Sequence, residues 1–386
     1  MSVSSQRGHI AWAIQKGKVG SLSATGFDPV TGSSGHLTTN WQKHRAESVT
    51  LGINELYDVL PLEVGGSLFV NSSYKNGAFV AGGARMFSRL ESTFGYLLYA
   101  LAGEAVAQTG AGATGSGWKT TRFQVKPTDE TVMPWLALRK FTPASSGASG
   151  LSEYFVDCRV NMMTISVPAM GPAMIEFSVI GRMPEAANVA ATGDGSATGD
   201  SGFENGTSLS HGCKGVITLE DFQGSGLPFA TNADGKFTSA QIMIANNISQ
   251  PDQQMIIGSY HPDDLTPLSR AVQIKLVYKW QDPKLYKKLY YGGSADTTNI
   301  NWSPVVGNSP VTISSSSVTN IPSASVPYSF SFRAEDCDWT MTPPQLAGNN
   351  LLFCELTGIV KGGNNGTSTP TWYIDVVNNA DYTTIL

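Results

Sequence analysis

The densest group of side chains suited to proton transfer or metal binding is His261-Pro262-Asp263-Asp264. A histidine beside two carboxylates could act as a general acid or base, or could bind a metal ion. Adjacent Asp and Pro residues are more typical of turns, and a turn is the favoured interpretation. The remaining histidines, at positions 9, 36, 44 and 211, form no i, i+4 pair and no HExxH motif. We therefore expect no metal site.

A second candidate is Gly110-Ala-Gly112-Ala-Thr-Gly115, which matches the GxGxxG pattern of dinucleotide-binding loops. That chemistry needs a strand before the glycines and a helix that begins within them. Here a polar, Ala-rich stretch precedes the motif and a strand-like stretch, Ser116–Phe123, follows it. A hairpin loop is therefore favoured, and we expect no cofactor.

Isolated carboxylates such as Asp28, Glu63 and Asp221 could form the catalytic pair of a glycoside hydrolase. Such a pair requires a separation of ~5–9 Å, which a sequence does not show. Asn232-Ala-Asp234-Gly235 resembles part of a calcium loop, but the other ligand positions and the closing Glu are missing, so a β-turn is favoured. No GxSxG nucleophile motif is present. We expect no catalytic residues and no enzyme activity.

The composition limits the function further. The chain has 386 residues, 14% of them charged, and a net charge of −5. Average globular proteins have about 25% charged residues, so this surface is rich in Ser, Thr, Asn and Gly instead. A chain with more acids than bases is a poor candidate for gripping nucleic acid through its phosphates. The four cysteines form no CxxC pair and are expected to be buried free thiols. No apolar run is long enough to span a membrane.

Strict alternation of apolar and polar residues predicts a protein built mainly of β-strands. Three examples are 272–280, 175–179 and 372–376. Clusters of Gly, Ser, Thr and Asn separate such segments and predict loops or hairpin tips. These clusters lie at 108–117, 143–150, 190–210, 312–325 and 361–369.

Two short helices are predicted, each directly after a strand-like segment. The first is Thr93–Ala102, which has apolar residues at i, i+3, i+4 and i+7 and ends before Gly103. The second is Pro283–Tyr291, which follows Asp282. The residues expected to pack these helices on their sheets are Phe94, Leu97, Leu98, Leu101, Tyr286 and Leu289.

An internal duplication is indicated by features that recur in the same order. The strand and helix are followed by Asp157-Cys158 and by Asp336-Cys337, and then by two glycines ten residues apart. We expect a first β domain with an N-terminal arm over 1–188, a Gly/Ala/Thr/Asp linker over 189–210 and a second β domain over 211–386. Each domain would be a β-sandwich or barrel with one short helix. The alternative is one such domain followed by an unrelated β-sandwich.

The order and spacing of these segments resemble those of the major tail tube proteins of long-tailed, siphovirus-like bacteriophages, especially the tandem-domain type. The resemblance covers most of 45–386 as a pattern and includes no single diagnostic motif. The segments concerned are Gly65–Phe69, Arg89–Glu91, Phe94–Gly103, Asp157–Ser166, Met174–Gly181 and Asp282–Gly292.

The resemblance implies a structural virion protein, made in the host cytoplasm, that polymerises as stacked rings into a tube for genome delivery. Three tandem-domain copies would form a homotrimeric ring with pseudo-sixfold symmetry, and a hexameric ring is the alternative. The implied partners are further copies of the chain, the tape-measure protein, the tail terminator and distal tail proteins, and double-stranded DNA that passes without specific binding. No membrane is implied.

Two sets of residues are candidates for assembly. The polar face of one strand, with Gln273, Lys275 and Lys279, is expected to line the lumen or a subunit interface, with its lysines offset by carboxylates. The stretches 1–46, 58–83 and 294–326 are expected to be arms or loops between rings. The functional alternatives are a β-sandwich binding module or another virion component, such as a fibre, decoration or lectin-like protein. A carbohydrate hydrolase is a third, weaker alternative.

Overall fold

A computed structural model gives the conformation of most of the chain. The structure describes residues 8–19, 37–59, 73–108, 117–127, 129, 131–144, 150–189, 202–204, 206–219, 237–280, 284–291, 310–322, 325–344, 346, 351–362, 370–380, 382 and 385.

Strands dominate the described part of the chain. In the first half they are β1 His9–Ile14, β2 Gln42–His44, β3 Ser48–Val49, β4 Gly52–Val59, β5 Ser73–Phe87, β6 Gly103–Ala107, β7 Lys119–Val125, β8 Leu136–Thr142, β9 Leu151–Pro168 and β10 Met174–Val189. In the second half they are β11 Ser210–Leu219, β12 Phe237–Ala245, β13 Ala271–Lys279, β14 Val311–Asn320, β15 Pro327–Ala334, β16 Cys337–Met341, β17 Phe353–Val360 and β18 Trp372–Asn378. The α-helices are α1 Thr93–Ala102 and α2 Lys284–Tyr291.

Among the described residues the strands form two antiparallel sheets. The larger has twelve strands, and its main path runs β16-β17-β13-β12-β9-β10-β5-β3. β3 and β4 pair one after the other with the same edge of β5. On the other side of the sheet β8 pairs with β9, β1 pairs with β8, and β2 pairs with β1. The smaller sheet runs β11-β14-β15-β18-β7-β6. The prediction of a mainly-β fold of the β-sandwich type is confirmed.

The alternating sequence explains which face of the large sheet is buried. In β13 the side chains of Val272, Ile274, Leu276 and Tyr278 are buried, and the residues between them are exposed or half-buried. Neighbouring strands repeat the pattern in register, so that Ile274 lies beside Ile242 and Ile242 lies beside Ile165. Because side chains directly opposite each other point to the same face, these rows build one apolar face and one polar face.

The large sheet contains two four-strand blocks with the same connectivity. In the first block β5 pairs with β4 and β10, and β10 pairs with β9. In the second block β13 pairs with β12 and β17, and β17 pairs with β16. A helix follows the equivalent strands β5 and β13. The blocks stand head to tail and meet where β9 of the first pairs with β12 of the second.

Both sheets contain strands from before and after the predicted linker. In the smaller sheet β18, close to the C-terminus, lies between β7 of the first half and β15 of the second. The halves therefore share their sheets, because a seam of backbone hydrogen bonds joins them in each layer. Division of the chain at 189–210 into two tandem domains stays a prediction.

Helix α1 has the bounds that its sequence pattern predicts. Gly103 ends it in the left-handed conformation, with φ +104°, and donates its backbone N–H to Tyr99. The helix is enclosed by both sheets, and Phe94 meets Phe330 of β15 edge to face at 6.5 Å. α2 begins at Lys284, while Asp282 and Pro283 lie outside the described residues.

The prediction of a loop over 312–325 was wrong, because 311–320 forms strand β14. Its Ser-rich stretch still alternates, with Ser315 and Ser317 buried. The hydroxyl of Ser315 donates to the carbonyl of His211 at 3.0 Å, which compensates a buried polar group. Two stretches expected to be arms or loops between rings also contain strands. β1 and β2 lie within 1–46, and β5 begins within 58–83.

Candidate assembly surfaces

His261 and its neighbouring carboxylates, the densest candidate for chemistry in the sequence, have structural contacts. His261 Nδ1 lies 3.0 Å from the backbone oxygen of Ala78, and Asp263 forms an ion pair with Lys18 at 3.3 Å. This cluster is a turn that packs on β5. The motif at 110–115, the stretch 232–235 and the carboxylates Asp28, Glu63 and Asp221 lie outside the described residues.

Within the part of the chain that the structure describes, no group of three or more His, Cys, Asp or Glu side chains could hold a metal ion. Nor is any helix among these residues long and apolar enough to cross a membrane. The four cysteines are free thiols, of which Cys158, Cys337 and Cys354 are buried. Burial raises the pKa of Cys337 to about 12 and that of Cys158 well above its ordinary value, so both stay protonated at neutral pH.

The predicted helix-to-sheet residues are all buried or half-buried. Phe94, Leu97, Leu98 and Leu101 are at most 1% exposed and belong to the main apolar cluster. In the second helix Leu289 is buried. Tyr286 is half-buried and meets Trp280 edge to face at 6.0 Å.

The residues predicted to line a lumen or interface lie on the polar face of the large sheet, opposite the core. Gln273 and Lys275 are exposed, and Lys279 is half-buried opposite Phe353 at the end of β13. The polar face continues across the sheet in the row Asp338, Ile359, Gln273, Met243, Thr164, Glu176 and Arg85. This row passes through both blocks and their seam, so the polar face is one continuous surface.

Three basic side chains on or beside this polar face have acidic neighbours. Lys275 Nζ lies 2.8 Å from Glu355 Oε1, and Arg85 Nε lies 3.1 Å from Glu47 Oε2. At the edge of the sheet, Lys361 Nζ lies 2.7 Å from Asp338 Oδ1. Because each pair is exposed to water, it contributes little to stability. The carboxylates in these pairs offset the positive charge of the basic side chains on this face.

A buried polar cluster stands at the start of α1, and no sequence motif indicated it. The backbone N–H of Thr93 donates to Glu204, and the hydroxyl of Thr93 lies 2.9 Å from Nδ1 of His44. Burial raises the pKa of Glu204 to about 8 and lowers that of His44 to about 3. Glu204 belongs to the predicted linker, so this contact attaches part of the linker to the helix. The partners are 49 and 111 residues away from Thr93, beyond any local pattern.

A second buried cluster attaches the N-terminal segment to β9. Asp157 is fully buried with φ +52°, and its Oδ1 accepts hydrogen bonds from the backbone of Val19 at 2.8 Å and from Gln15 Nε2 at 2.9 Å. Its Oδ2 pairs with Arg182 at 2.7 Å. The repeated Asp-Cys pair in the sequence marks this residue without showing its role. The cluster fixes the strand β1 against the first block.

These surfaces define the class of the protein: an antiparallel β-sandwich with one broad polar sheet face and a helix between its layers. A family model described as phage tail tube protein matches residues 58–334, which include the seam between the two blocks. The chain therefore belongs to the phage tail tube protein family. Membership makes it a structural component of the phage tail and implies self-assembly into a tube. No curated protein matches the chain.

Proposed function

We propose that this protein polymerises as stacked rings of three chains, and that the polar face of the large sheet lines a conduit for the genome in a siphovirus-like tail. The supporting observation is the head-to-tail arrangement of two blocks with the same connectivity. The tandem-domain description, with a division near 189–210, is part of this proposal. The structural family also supports a role in assembly and not in catalysis.

The seam inside the chain supports ring closure. β12 is the first strand of the second block, and its outer edge pairs with β9 of the first block. The equivalent strand of the first block is β4, and the equivalent of β9 is β16. Among the described residues, these two strands end the main path of the sheet on opposite sides. Pairing β4 of one copy with β16 of the next repeats the internal seam. Such heterologous contacts close into a ring when the rotation between copies permits it.

The width of the sheet favours three copies over six. Eight strands lie along the main path, so three copies give a barrel of three times eight, or 24, strands. At about 4.8 Å per strand and about 40° of tilt, the backbone diameter is about 48 Å. Side-chain layers of about 5 Å leave a bore of about 38 Å, sufficient for a hydrated DNA duplex. Six copies would roughly double the diameter, far beyond what a duplex requires.

The charges on the polar face suit a conduit. Contacts between phosphates and basic side chains release counterions and add affinity, which would retain DNA in the channel. The pairing of Lys275 with Glu355 and of Arg85 with Glu47 limits such contacts. The tape-measure protein, the terminator and distal tail proteins and the passing duplex are proposed partners, as the resemblance to tandem tail tube proteins implies.

Strand β4 offers a test of ring closure. The backbone N–H of Thr50 donates to Gly83, so the N–H of Ile53 points away from β5. Proline at an edge position of this kind removes only the outward donor. We expect Ile53→Pro to fold with nearly unchanged thermal stability but to form no rings or tubes in electron micrographs. Ile53→Ala, which keeps the N–H, should assemble.

Normal tubes from Ile53→Pro would reject pairing through β4. Native mass spectrometry of rings, or symmetry analysis of the micrographs, counts the copies. Six chains per ring would reject the trimer but leave the tube. Wild-type protein that stays monomeric and binds glycans would favour a binding module instead.

A further inference from the structure

An exposed apolar tip lies in the connection between β12 and β13. We call this tip the knob and define it as residues 256–260. Ile257 is fully exposed, Ile256 is 53% exposed and Tyr260 is 65% exposed. Gly258, with φ +91°, makes the turn. Exposed apolar side chains grouped at one tip mark an interaction site more often than isolated ones do.

Backbone contacts hold the knob in place. Ser259 donates its N–H to Ile256 at 3.1 Å, and Asp263 donates to Gln254 at 2.9 Å. The carbonyl of Tyr260 accepts the N–H of Ala78 in β5 at 2.8 Å. The knob is therefore ordered within one copy, although its own apolar side chains are little buried there. A tip ordered before binding loses less conformational entropy on association.

A cavity of about 320 Å³ lies at the other end of the large sheet. We call it the socket; its lining includes Val167 at the end of β9, Phe237 at the start of β12 and Ile217 of β11. A register shift between His211 and Val216 bulges β11 at this point. Gly212 lies in this bulge so close to the carbonyl of Pro168 that a Cβ would clash. The bulge thus forms one wall of the socket.

The knob and the socket cannot meet within one chain. The knob follows the end of β12, whereas the socket includes its start, and nine strand residues span about 30 Å. Strands of a barrel run along its axis with a tilt, so these two ends face the neighbouring rings. Charges agree with that pairing, since exposed Asp252 lies beside the knob while exposed Lys214 lies beside the socket.

We propose that the Ile257 knob of each copy inserts into the socket of a copy in the next ring. The inference rests on the proposed stacking of rings and adds the residues that join one ring to the next. A protruding site at one end and a cavity at the other make a contact that does not close on itself. It therefore permits growth in length.

Natural Cys213, exposed on the bulge beside the socket, allows a direct test. We expect Ile257→Cys tubes to oxidise into a ladder of covalent multimers longer than three chains on non-reducing gels. The double variant Ile257→Cys with Cys213→Ser should give no ladder. Nor should Ile359→Cys, which places a thiol on the polar face, outside both the knob and the socket.

A second variant needs no cross-link. Ile257→Asp keeps an exposed position exposed in the single chain, so the chain should fold, but it puts a charge into the socket. We expect the critical concentration for tube growth to rise by about tenfold or more, with rings still present. Ile359→Asp is the matched control. Tubes without a ladder and with unchanged growth would overturn this inference alone, whereas absence of rings and tubes in the wild type would overturn the proposed function as well.

Discussion

The two blocks of the large sheet have the same connectivity but differ in how deeply the equivalent residues are buried. In the first block all residues of α1 except Tyr96 and Tyr99 are buried, and Asp157 is inaccessible. In the second block α2 lies beside β16 at the end of the sheet, and the side chain of Asp336 remains 28% exposed. The N-terminal strands β1 and β2 and Glu204 of the predicted linker contact the first block and its helix. The second block leaves its helix near the edge where the next copy would bind.

Loss of the buried carboxylate should have the largest effect. Asp157→Ala removes the acceptor that Arg182, Val19 and Gln15 share, and we expect a loss of about 3–5 kcal/mol of unfolding free energy. Asp336→Ala, the equivalent change in the second block, should cost under about 1 kcal/mol, because its ion pair with Lys361 is long and partly exposed. Urea unfolding of both variants measures the difference. Equal losses of unfolding free energy would show that the two aspartates contribute equally to the stability of their blocks.

Substitutions in the two helices should also destabilise the first block more than the second. Leu98 is fully buried in α1, so Leu98→Ala should cost about 2–5 kcal/mol. Leu289 is 8% exposed in α2 at the edge of the sheet, where neighbours can relax, so Leu289→Ala should fall at or below the low end of that range. Thermal unfolding of the unassembled protein is the measurement. A larger shift for Leu289→Ala would contradict the contrast between the blocks.

The cluster at α1 should give the first block a distinctive pH dependence. Glu204, with its pKa raised to about 8, binds more protons when folded, so its stabilising contribution is lost as pH rises from its ordinary value through 8. His44, with its pKa lowered to about 3, destabilises the fold as pH falls from 6.5 through 3. The two effects oppose each other between pH 4.5 and 6.5.

Above pH 6.5 only Glu204 of this pair should contribute, at up to about 1.4 kcal/mol per pH unit. Glu204→Gln should therefore flatten the fall in stability between pH 6.5 and 8, as measured by denaturant unfolding across that range. An unchanged slope in Glu204→Gln would assign the pH dependence to other groups.

The smallest effect on stability is expected on the polar face. Glu355→Gln removes the partner of Lys275 and should change the unfolding free energy by under about 0.5 kcal/mol. In assembled tubes it should strengthen DNA retention and steepen its salt dependence by about 0.9 for each additional phosphate that a basic side chain neutralises. Asp375→Asn, which breaks the pair with Arg122 in the small sheet, is the matched control. Equal DNA retention and equal salt dependence in the two variants would show that the polar face does not line the lumen.

Local patterns in the sequence predicted the elements that local physics determines. The i, i+3, i+4 spacing and Gly103 predicted the bounds of α1, and period-two alternation predicted the faces of β10, β13 and β18. Composition gave a wrong prediction at β14, because a stretch rich in Ser and Thr is typical of loops. Here Ser315 lies within a strand and forms a buried hydrogen bond. A hydroxyl with a partner can replace an apolar side chain at a buried strand position.

Contacts between distant segments could not be predicted in this way. The seam pairs Ile165 with Ile242, and Glu204 reaches Thr93 across 111 residues. The Asp-Cys repeat indicated two related units, but strand alternation alone does not determine which edges meet. Those edges decide whether two units form separate domains or one continuous sheet.

Fusion of two head-to-tail units into one chain changes the kinetics expected of assembly. Six separate units would have to collide and orient, each with its own loss of translational and rotational freedom. Because the β9–β12 seam already forms within each chain, a ring of the proposed kind would need only three bodies. Nucleation limited by ring formation would then scale with the third power of protein concentration instead of the sixth. At low protein concentration, that lower reaction order would allow tubes to start sooner.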